Sequence, residues 1–275
     1  MTIRSTFLAL IIFTFLLGTT GPLRGDPPVD GKSRAEELLA FAKGEASAHT
    51  FRVAGSERPL ALQPESVLNW SNPIVGENYG AVFLWTSKGR PEVVWCLHRW
   101  YSALDRQPHE AVEYLSLSTD RIIAEKDGQA LWTPSRPGID LKPIPGADIP
   151  AETPAQRLRQ MRELAKEFTG RQTNRKGVEH DMRLLTQPIY RYEGTEQPLR
   201  DGALFAFVQG TDPEVFLVIE AREVGGKLKW QYSVSRMTSI ELRVSHRGTL
   251  VWTVPVQSWD EVQDRREPYM SFVMR

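Results

Sequence analysis

Two stretches of the chain constrain its fold most, because each is a predicted β-hairpin whose strands are apolar on both faces. Residues 80–95 read GAVFLWTSKGRPEVVW, and residues 202–222 read GALFAFVQGTDPEVFLVIEAR. In each stretch Gly-Ala opens an apolar run, a polar turn follows, and Pro-Glu-Val resumes the run, which is typical of a hairpin. Antiparallel strands usually alternate between core-facing and solvent-facing residues. These strands do not, so both faces of each hairpin must be covered.

Large aromatic side chains share one face of each hairpin. Phe83 and Trp85 lie on one strand, and Phe205 and Phe207 occupy the corresponding strand of the other hairpin. A helix can cover one face, which leaves the second face for the other hairpin's sheet, a long loop or an apolar ligand. Phe83, Trp85, Phe205 and Phe207 are therefore the candidate ligand-binding residues, with burial against protein as the alternative.

The two hairpins predict an internal duplication. Gly80 and Gly202 lie 122 residues apart, and further matches, such as Gly128 to Trp132 with Gly248 to Trp252, follow in the same order at similar intervals. Ordered matches of this kind indicate one unit copied in tandem. We expect an α+β fold, cystatin-like or NTF2-like in general shape, in which each copy is a helix followed by an antiparallel β-meander. The predicted divisions are a signal peptide at 1–25, copies at 26–134 and 153–257, a Pro-rich linker at 135–152 and a tail at 258–275.

Helical spacing is clearest after Thr153. Thr153 and Pro154 form a helix start, and an apolar stripe from Leu158 to Phe168 follows. Arg157 is expected on the solvated side of this helix. The alternation of apolar and polar residues predicts eight strands between residues 50 and 132 and seven between residues 183 and 254.

The first 25 residues are typical of a secretory signal peptide. Arg4 precedes an eleven-residue apolar run at 7–17, which is shorter than the roughly 20 residues that span a bilayer. We expect a secreted or periplasmic protein without a stable transmembrane anchor after cleavage; a retained N-terminal anchor is the alternative. Removing Arg4 and Arg24 leaves 32 basic against 34 acidic residues, so no net positive charge favours nucleic acid.

Chemically active residues are sparse. His98 and Glu220 occupy corresponding strand positions, each on an apolar face, and are the candidate catalytic residues, acting as acid and base or pairing with each other; solvent-exposed strand ends are the alternative. The run from His109 to Glu113 resembles a zinc-protease motif but lacks its second histidine, so no metal site and no cofactor are predicted. A site made of His109, Glu110 and Glu113 stays an alternative. The single cysteine, Cys96, is predicted to be a buried small apolar residue rather than a reactive thiol.

The segments LRQMRELAKEF, LLTQPIYRY and DGALFAFVQGTDPEVFLVIEAR resemble a family of exported proteins from planctomycete-type bacteria. The resemblance covers most of residues 60–255. It implies export and a shared fold. That family has no assigned activity, so the resemblance transfers no functional residues.

These observations together predict a non-catalytic exported module that binds a ligand or partner through apolar surfaces between its sheets. The expected partner is an apolar small molecule or an envelope protein. One alternative is a hydrolase or isomerase with a polar site near His98 and Glu220. The other is a structural protein of the envelope.

Overall fold

The computed structural model describes residues 31–72, 77–102, 105 and 107–274, so the predicted signal peptide lies outside the described residues. About half of the described residues (52%) lie in strands, the strand pairs among them are all antiparallel, and three short helices accompany these strands, which confirms the sheet-rich α+β class. No described helix combines the length and apolar character that a membrane crossing needs. The elements in chain order are α1 Gly31–Ser47, β1 His49–Val53, β2 Ala61–Leu62, β3 Leu68–Ser71, β4 Asn78–Ser87, β5 Arg90–Tyr101, β6 Pro108–Ser116, β7 Ile122–Lys126, β8 Gln129–Trp132, β9 Lys142–Pro143, α2 Pro154–Lys166, β10 Phe168–Thr173, β11 Glu179–Leu184, β12 Tyr190–Glu193, β13 Leu199–Gln209, β14 Asp212–Val224, β15 Lys227–Arg236, β16 Glu241–His246, β17 Thr249–Val254, α3 Trp259–Val262 and β18 Tyr269–Val273.

The strands form one small and two large sheets. A three-stranded sheet has the order β1-β7-β8, and a six-stranded sheet has the order β18-β6-β5-β4-β2 with β3 also on β4. The nine-stranded sheet has the order β17-β16-β10-β11-β13-β14-β15-β9 with β12 also on β13. Both predicted hairpins are present, as β4-β5 and β13-β14. Their turns contain Gly89 and Gly210 at positive φ, a backbone conformation that glycine adopts without a Cβ clash.

The strand pairings of the first half recur in the same order in the second. Pairs β1-β7, β2-β4, β3-β4, β4-β5 and β5-β6 correspond to β10-β16, β11-β13, β12-β13, β13-β14 and β14-β15. Both long hairpins shift register at the same place, after Trp85 and after Phe207.

The segment that follows each half also adds an edge strand to the sheet of the other half. β9, from the segment between the halves, pairs with β15, and β18, at the end of the chain, pairs with β6. Ile139 and Ile144 of the intervening segment lie in hydrophobic cores, so this predicted linker is packed against the sheets rather than acting only as a spacer. The predicted tail docks through α3 and β18.

Three hydrophobic cores stack through the protein. One core has α1 and the small sheet on one side and the six-stranded sheet on the other. Another lies between α2 and the nine-stranded sheet. The third lies between the two large sheets, where Val82, Leu84 and Val94 share one cluster with Phe216 and Val218. We call this third core the inter-sheet layer. In the inter-sheet layer, the second face of each hairpin is covered by the other hairpin.

The helix α2 begins as predicted, with the Thr153 hydroxyl accepting a hydrogen bond from the Gln156 amide. The expectation for Arg157 was wrong. Its side chain is 4% exposed and its Nε donates to the Asp201 carboxylate at 2.8 Å, because α2 packs against β13, the strand that carries Asp201. The strand β10 was not predicted; it follows the helix directly and contains Gly170, where a Cβ would meet Met182 and Phe207.

Two glycines allow aromatic rings to lie flat on the hairpins. A Cβ built on Gly80 would lie 2.1 Å from the ring of Trp70, and one built on Gly202 would lie 2.4 Å from the ring of Tyr192. We expect Gly80→Ala to lower the free energy of unfolding by about 1–3 kcal/mol, because Trp70 is itself buried and has no space to retreat. Urea denaturation measures this change.

The matched control is Gly44→Ala in helix α1, where nothing lies within 4 Å of the added Cβ. This variant should be neutral or more stable by up to about 1 kcal/mol, since alanine favours a helix over glycine. Equal effects of the two substitutions would contradict the described packing of Trp70 on Gly80.

Candidate functional site

Charged residues gather at both ends of the inter-sheet layer, and the two ends use corresponding positions 122 residues apart. Those pairs of positions are Arg90 with Asp212, Glu92 with Glu214, His98 with Glu220, and Trp100 with Arg222. The first residues of β5 lie near the last residues of β14. Arg90, the first residue of β5, contacts Glu220, near the end of β14. The two ends differ in chemistry although their positions correspond.

The Glu220 cluster, made of Arg90, Glu92, Tyr192, Glu220 and Arg222, is a closed network. The fully buried Glu220 accepts from Arg90 Nε at 2.8 Å, from the Tyr192 hydroxyl at 2.8 Å and from Arg222 Nη1 at 2.7 Å. Arg90 Nη1 also donates to Glu92 at 3.1 Å and to the carbonyl of Leu117 at 3.0 Å.

The charges of the Glu220 cluster balance, two arginines against two glutamates. Burial lowers the pKa of Arg90, but the charges of Glu220 and Glu92 outweigh burial and raise it. Burial raises the pKa of Glu92, and Arg90 opposes that rise. A buried network of this kind joins the two large sheets. Its carboxylates are paired with arginines, and Arg90 Nη2 is a buried atom without a hydrogen-bond partner.

The opposite end of the layer holds a cavity of about 350 Å³, which we call the His98 cavity. Its volume lies in the range of small-molecule sites, about 300–1,000 Å³. Trp259 of α3, 66% exposed, lies on its lining. The described polar and aromatic residues that line it are Asn78, His98, Trp100, Glu113, Asp212, Glu214, Thr238, Ser239, Trp259, Gln263, Tyr269, Ser271 and Phe272.

Three carboxylates face this cavity, and no lysine or arginine is among the described residues that line it. Burial raises the pKa of Glu214 to about 8, with a further rise from the charge of Glu113 and an opposing hydrogen bond from Thr238. Burial also raises the pKa of Asp212 well above its usual value, as do the charges of Glu214 and Glu113, while a hydrogen bond with Asn72 opposes the rise. In the absence of a cation these two carboxyl groups therefore favour their protonated forms, and no described lysine or arginine of the lining supplies a positive counter-charge.

Buried polar atoms without hydrogen-bond partners lie beside the same cavity. His98 Nδ1 and Asn78 Oδ1 are buried atoms with no hydrogen-bond partner, and both residues line the cavity. The buried Asn72, which contacts Asp212, also has an unpartnered Oδ1. Buried polar atoms are usually satisfied, so unsatisfied ones beside a cavity indicate a place for a hydrogen-bond donor or a cation.

The structure does not bring His98 and Glu220 together. Glu220 contacts Arg90, and Arg90 and His98 lie eight residues apart on β5, a separation of roughly 26 Å along an extended strand. Glu220 belongs to the closed cluster, whereas His98 lines the cavity at the other end. Of the two predicted catalytic candidates, only His98 faces a cavity.

The four predicted ligand-binding residues lie in the outer cores. Phe83 and Trp85 pack with α1, and Phe205 and Phe207 pack in the core beneath α2; each is at most 2% exposed. A ligand would reach Phe83, Trp85 and Phe205 only by displacing core side chains, whereas Phe207 also borders a pocket of about 710 Å³ beside β10 and β11.

His109, Glu110 and Glu113, the alternative metal site, do not all point to one side, because they lie on a strand and not on a helix. In β6, His109 and Glu113 share one face, and Glu110 lies on the other, where it pairs with Arg99. Glu113 lies opposite Cys96 in the sheet, and Cys96 is buried as predicted. Asp212 and Glu214 were not predicted as site residues; the replacement of Arg90 by Asp212 at the corresponding position was the available clue.

No protein family model, no curated protein and no solved structure matches this chain. The function proposed below rests on the geometry of the chain's own residues.

The closed Glu220 cluster predicts a large cost for removing one of its charges. We expect Arg90→Met to lower the free energy of unfolding by about 3–5 kcal/mol, because Glu220 would stay buried with fewer partners. Lys43→Ala is the control: it breaks an exposed pair with Glu65 and should cost about 0–1 kcal/mol. Denaturant unfolding compares them, and a loss for Arg90→Met no larger than the control's would contradict the role of this cluster.

The raised pKa of Glu214 predicts a pH-dependent effect of Glu214→Gln. Between its ordinary value of 4.5 and about 8, the folded protein holds a proton that the unfolded chain releases, so the contribution of Glu214 to stability falls as pH rises through this window. In metal-free buffer, Glu214→Gln should raise the free energy of unfolding by about 1–3 kcal/mol at pH 8.5 and by much less at pH 5. Thermal unfolding at both pH values measures the difference.

For comparison, Glu65→Gln alters an exposed glutamate and should change stability little at either pH. A gain for Glu214→Gln that is equal at the two pH values, or larger at pH 5, would show that burial does not hold the Glu214 proton.

Proposed function

We propose that the protein is an exported, non-catalytic binding protein and that its ligand is a small cation held in the His98 cavity. Export rests on the N-terminal sequence and on the family resemblance. The cation rests on the chemistry of the cavity. The apolar ligand expected between the sheets is not retained in this proposal, because the inter-sheet layer is filled by side chains of both hairpins.

We also infer that the two halves are a tandem duplication of one helix-plus-meander unit, cystatin-like or NTF2-like in general shape. The recurring order of strand pairs, the register shifts at corresponding places and the reciprocal edge strands β9 and β18 support this inference. Duplication explains why corresponding residues lie at both ends of the inter-sheet layer. It also makes the two ends a direct comparison of one site with its copy.

The observation that carries the proposal is the loss of positive charge at one end. Where the Glu220 cluster has Arg90 and Arg222, the His98 cavity has Asp212 and Trp100. A buried carboxylate group is costly unless a counter-charge or a proton accompanies it. A bound cation would supply to the cavity the positive charge that Arg90 and Arg222 supply to the Glu220 cluster.

Aromatic side chains of the lining suit a cation as well. Trp100, Tyr269 and Phe272 line the cavity beside the carboxylates, and aromatic faces attract cations such as ammonium groups. Tyr269 is held in place because its hydroxyl donates to Glu113 at 2.6 Å. The ligand class that fits is therefore a cation small enough for about 350 Å³.

The binding test uses four probes at pH 8: choline, its uncharged carbon isostere dimethylbutanol, acetate and Zn²⁺. At least one of the two cations should raise the melting temperature of the full mature chain and give a binding isotherm, whereas the isostere and acetate should do neither. The double variant Asp212→Asn with Glu214→Gln should weaken cation binding about tenfold or more, since it removes two carboxylates from the lining.

The matched control for this test is Glu92→Gln, which changes the buried glutamate at the position corresponding to Glu214. It should lower stability, because Glu92 pairs with Arg90, and leave cation affinity unchanged. Stabilisation by acetate, or no response to either cation, would refute the proposed function.

A hydrolase or isomerase is the second candidate, and one observation favours it. Glu214, whose pKa is raised to about 8, lines the same cavity as His98. Two titratable groups in one cavity, one of them with a shifted pKa, are the arrangement that general acid–base catalysis uses. Glu220 takes no part in this version. Turnover of an ester or amide panel that is abolished in His98→Gln and kept in Glu92→Gln would favour an enzyme; no turnover would remove this candidate.

A further inference from the structure

Three side chains of different chemistry meet on one face of the six-stranded sheet, at the edge of the His98 cavity. Cys96 and His98 are two residues apart on β5 and therefore point to the same side. The β5-β6 register places Glu113 directly opposite Cys96 and diagonal to His98. One donor atom from each of the three side chains lies within 4.8 Å of the others.

Two of these side chains have donor atoms free to bind a ligand. His98 Nδ1 has no hydrogen-bond partner and lies 3.7 Å from Glu113 Oε2, which is too long for a hydrogen bond. The other oxygen, Oε1 of Glu113, accepts from the Tyr269 hydroxyl at 2.6 Å. Tyr269 thus fixes the carboxylate and leaves Oε2 facing the histidine.

The donor set selects a class of metal. Thiolate, imidazole and carboxylate together suit Zn²⁺ and similar transition metals, whereas Ca²⁺ and Mg²⁺ take oxygen ligands. Bond lengths of about 2.0–2.3 Å at tetrahedral angles place neighbouring donors roughly 3.5 Å apart. Donor atoms within 4.8 Å of one another therefore need to approach by at most about 1.3 Å, which side-chain rotation can supply.

We propose that Cys96 Sγ, His98 Nδ1 and Glu113 Oε2 bind one transition-metal dication of the Zn²⁺ class, with the fourth position facing the cavity. This proposal rests on the proposed function and names its cation. His98 and Glu113 line the cavity while Cys96 lies behind them, so the metal closes the cavity floor. One thiolate and one carboxylate neutralise a dication, and the Asp212 carboxylate lies near enough to Cys96 and Glu113 to interact with both.

Orientation of the ligands by a surrounding group is a usual feature of metal sites. Here the Tyr269 hydroxyl, on β18, takes that role for Glu113, and β18 comes from the end of the chain. The metal site therefore depends on a strand that follows the second half and joins the sheet of the first. Tyr269 is a positioning residue and does not contact the metal.

The experiment titrates Co²⁺ into the full mature chain after removal of bound metal with a chelator. We expect saturation at one equivalent, with a thiolate-to-cobalt charge-transfer band and the visible bands of tetrahedral Co²⁺; Zn²⁺ should displace both. Ca²⁺ should neither bind nor compete. This readout needs no variant, so a folding defect cannot obscure it: binding without the thiolate band would overturn Cys96 as a ligand.

Variants then assign the other ligands. His98→Gln and Glu113→Gln should each lower Co²⁺ affinity at least tenfold, and Tyr269→Phe should lower it by about tenfold while keeping the charge-transfer band. His109→Gln, on an exposed histidine paired with Asp105, should leave affinity unchanged. Affinity that survives in both His98→Gln and Glu113→Gln would overturn the proposal.

The outcomes separate the metal proposal from the proposed function. If choline binds to the cavity and neither Co²⁺ nor Zn²⁺ does, the metal proposal fails and the cation-binding function stands. If neither class of cation binds, both fail. If Co²⁺ binds with the thiolate band and the double variant Asp212→Asn with Glu214→Gln weakens it, both are supported.

Discussion

The mutual burial of two hairpins, each apolar on both faces, is the interaction on which the rest of this structure depends. The helices cover one face of each hairpin, and the remaining faces present a contiguous apolar surface such as soluble proteins rarely expose. Only a surface of similar size and pattern covers it, and the other hairpin provides one. Main-chain hydrogen bonds also join the two halves, because the edge strands β9 and β18 each complete the sheet of the other half.

This packing fixes where chemistry can occur. The centre of the inter-sheet layer is filled by side chains, so polar groups collect at its two ends, where β5 and β14 begin and end. Corresponding positions differ in chemistry: one end is a neutral network around Glu220, and the other is a cavity with three carboxyl groups and no described lysine or arginine on its lining. Packing alone gives no reason for that difference. The proposed cation would account for it, and donor atoms of Cys96, His98 and Glu113 lie within 4.8 Å of one another.

Much of the fold follows from local sequence. The hairpins, their doubly apolar faces and the start of α2 at Thr153 were all predicted, because turn glycines, strand alternation and a helix cap act over a few residues. Strands β10 and β18 were not predicted: β10 is short and contains a glycine that close packing requires, and β18 pairs with a strand more than 150 residues earlier. The inward turn of Arg157 also depended on a distant partner, Asp201.

The candidate site was the least predictable part, because its residues come from separate strands and share no spacing. His98 was identified as a polar group on an apolar face, and Glu220 was paired with it because the two positions correspond. In the structure these corresponding positions lie at opposite ends of the inter-sheet layer. The most direct test of the account is a crystal structure, with anomalous scattering data, of protein produced without chelators. The account predicts cation density in the His98 cavity, against the carboxylates of Glu113, Asp212 and Glu214. Ordered water alone in that cavity, or an anion, would contradict it.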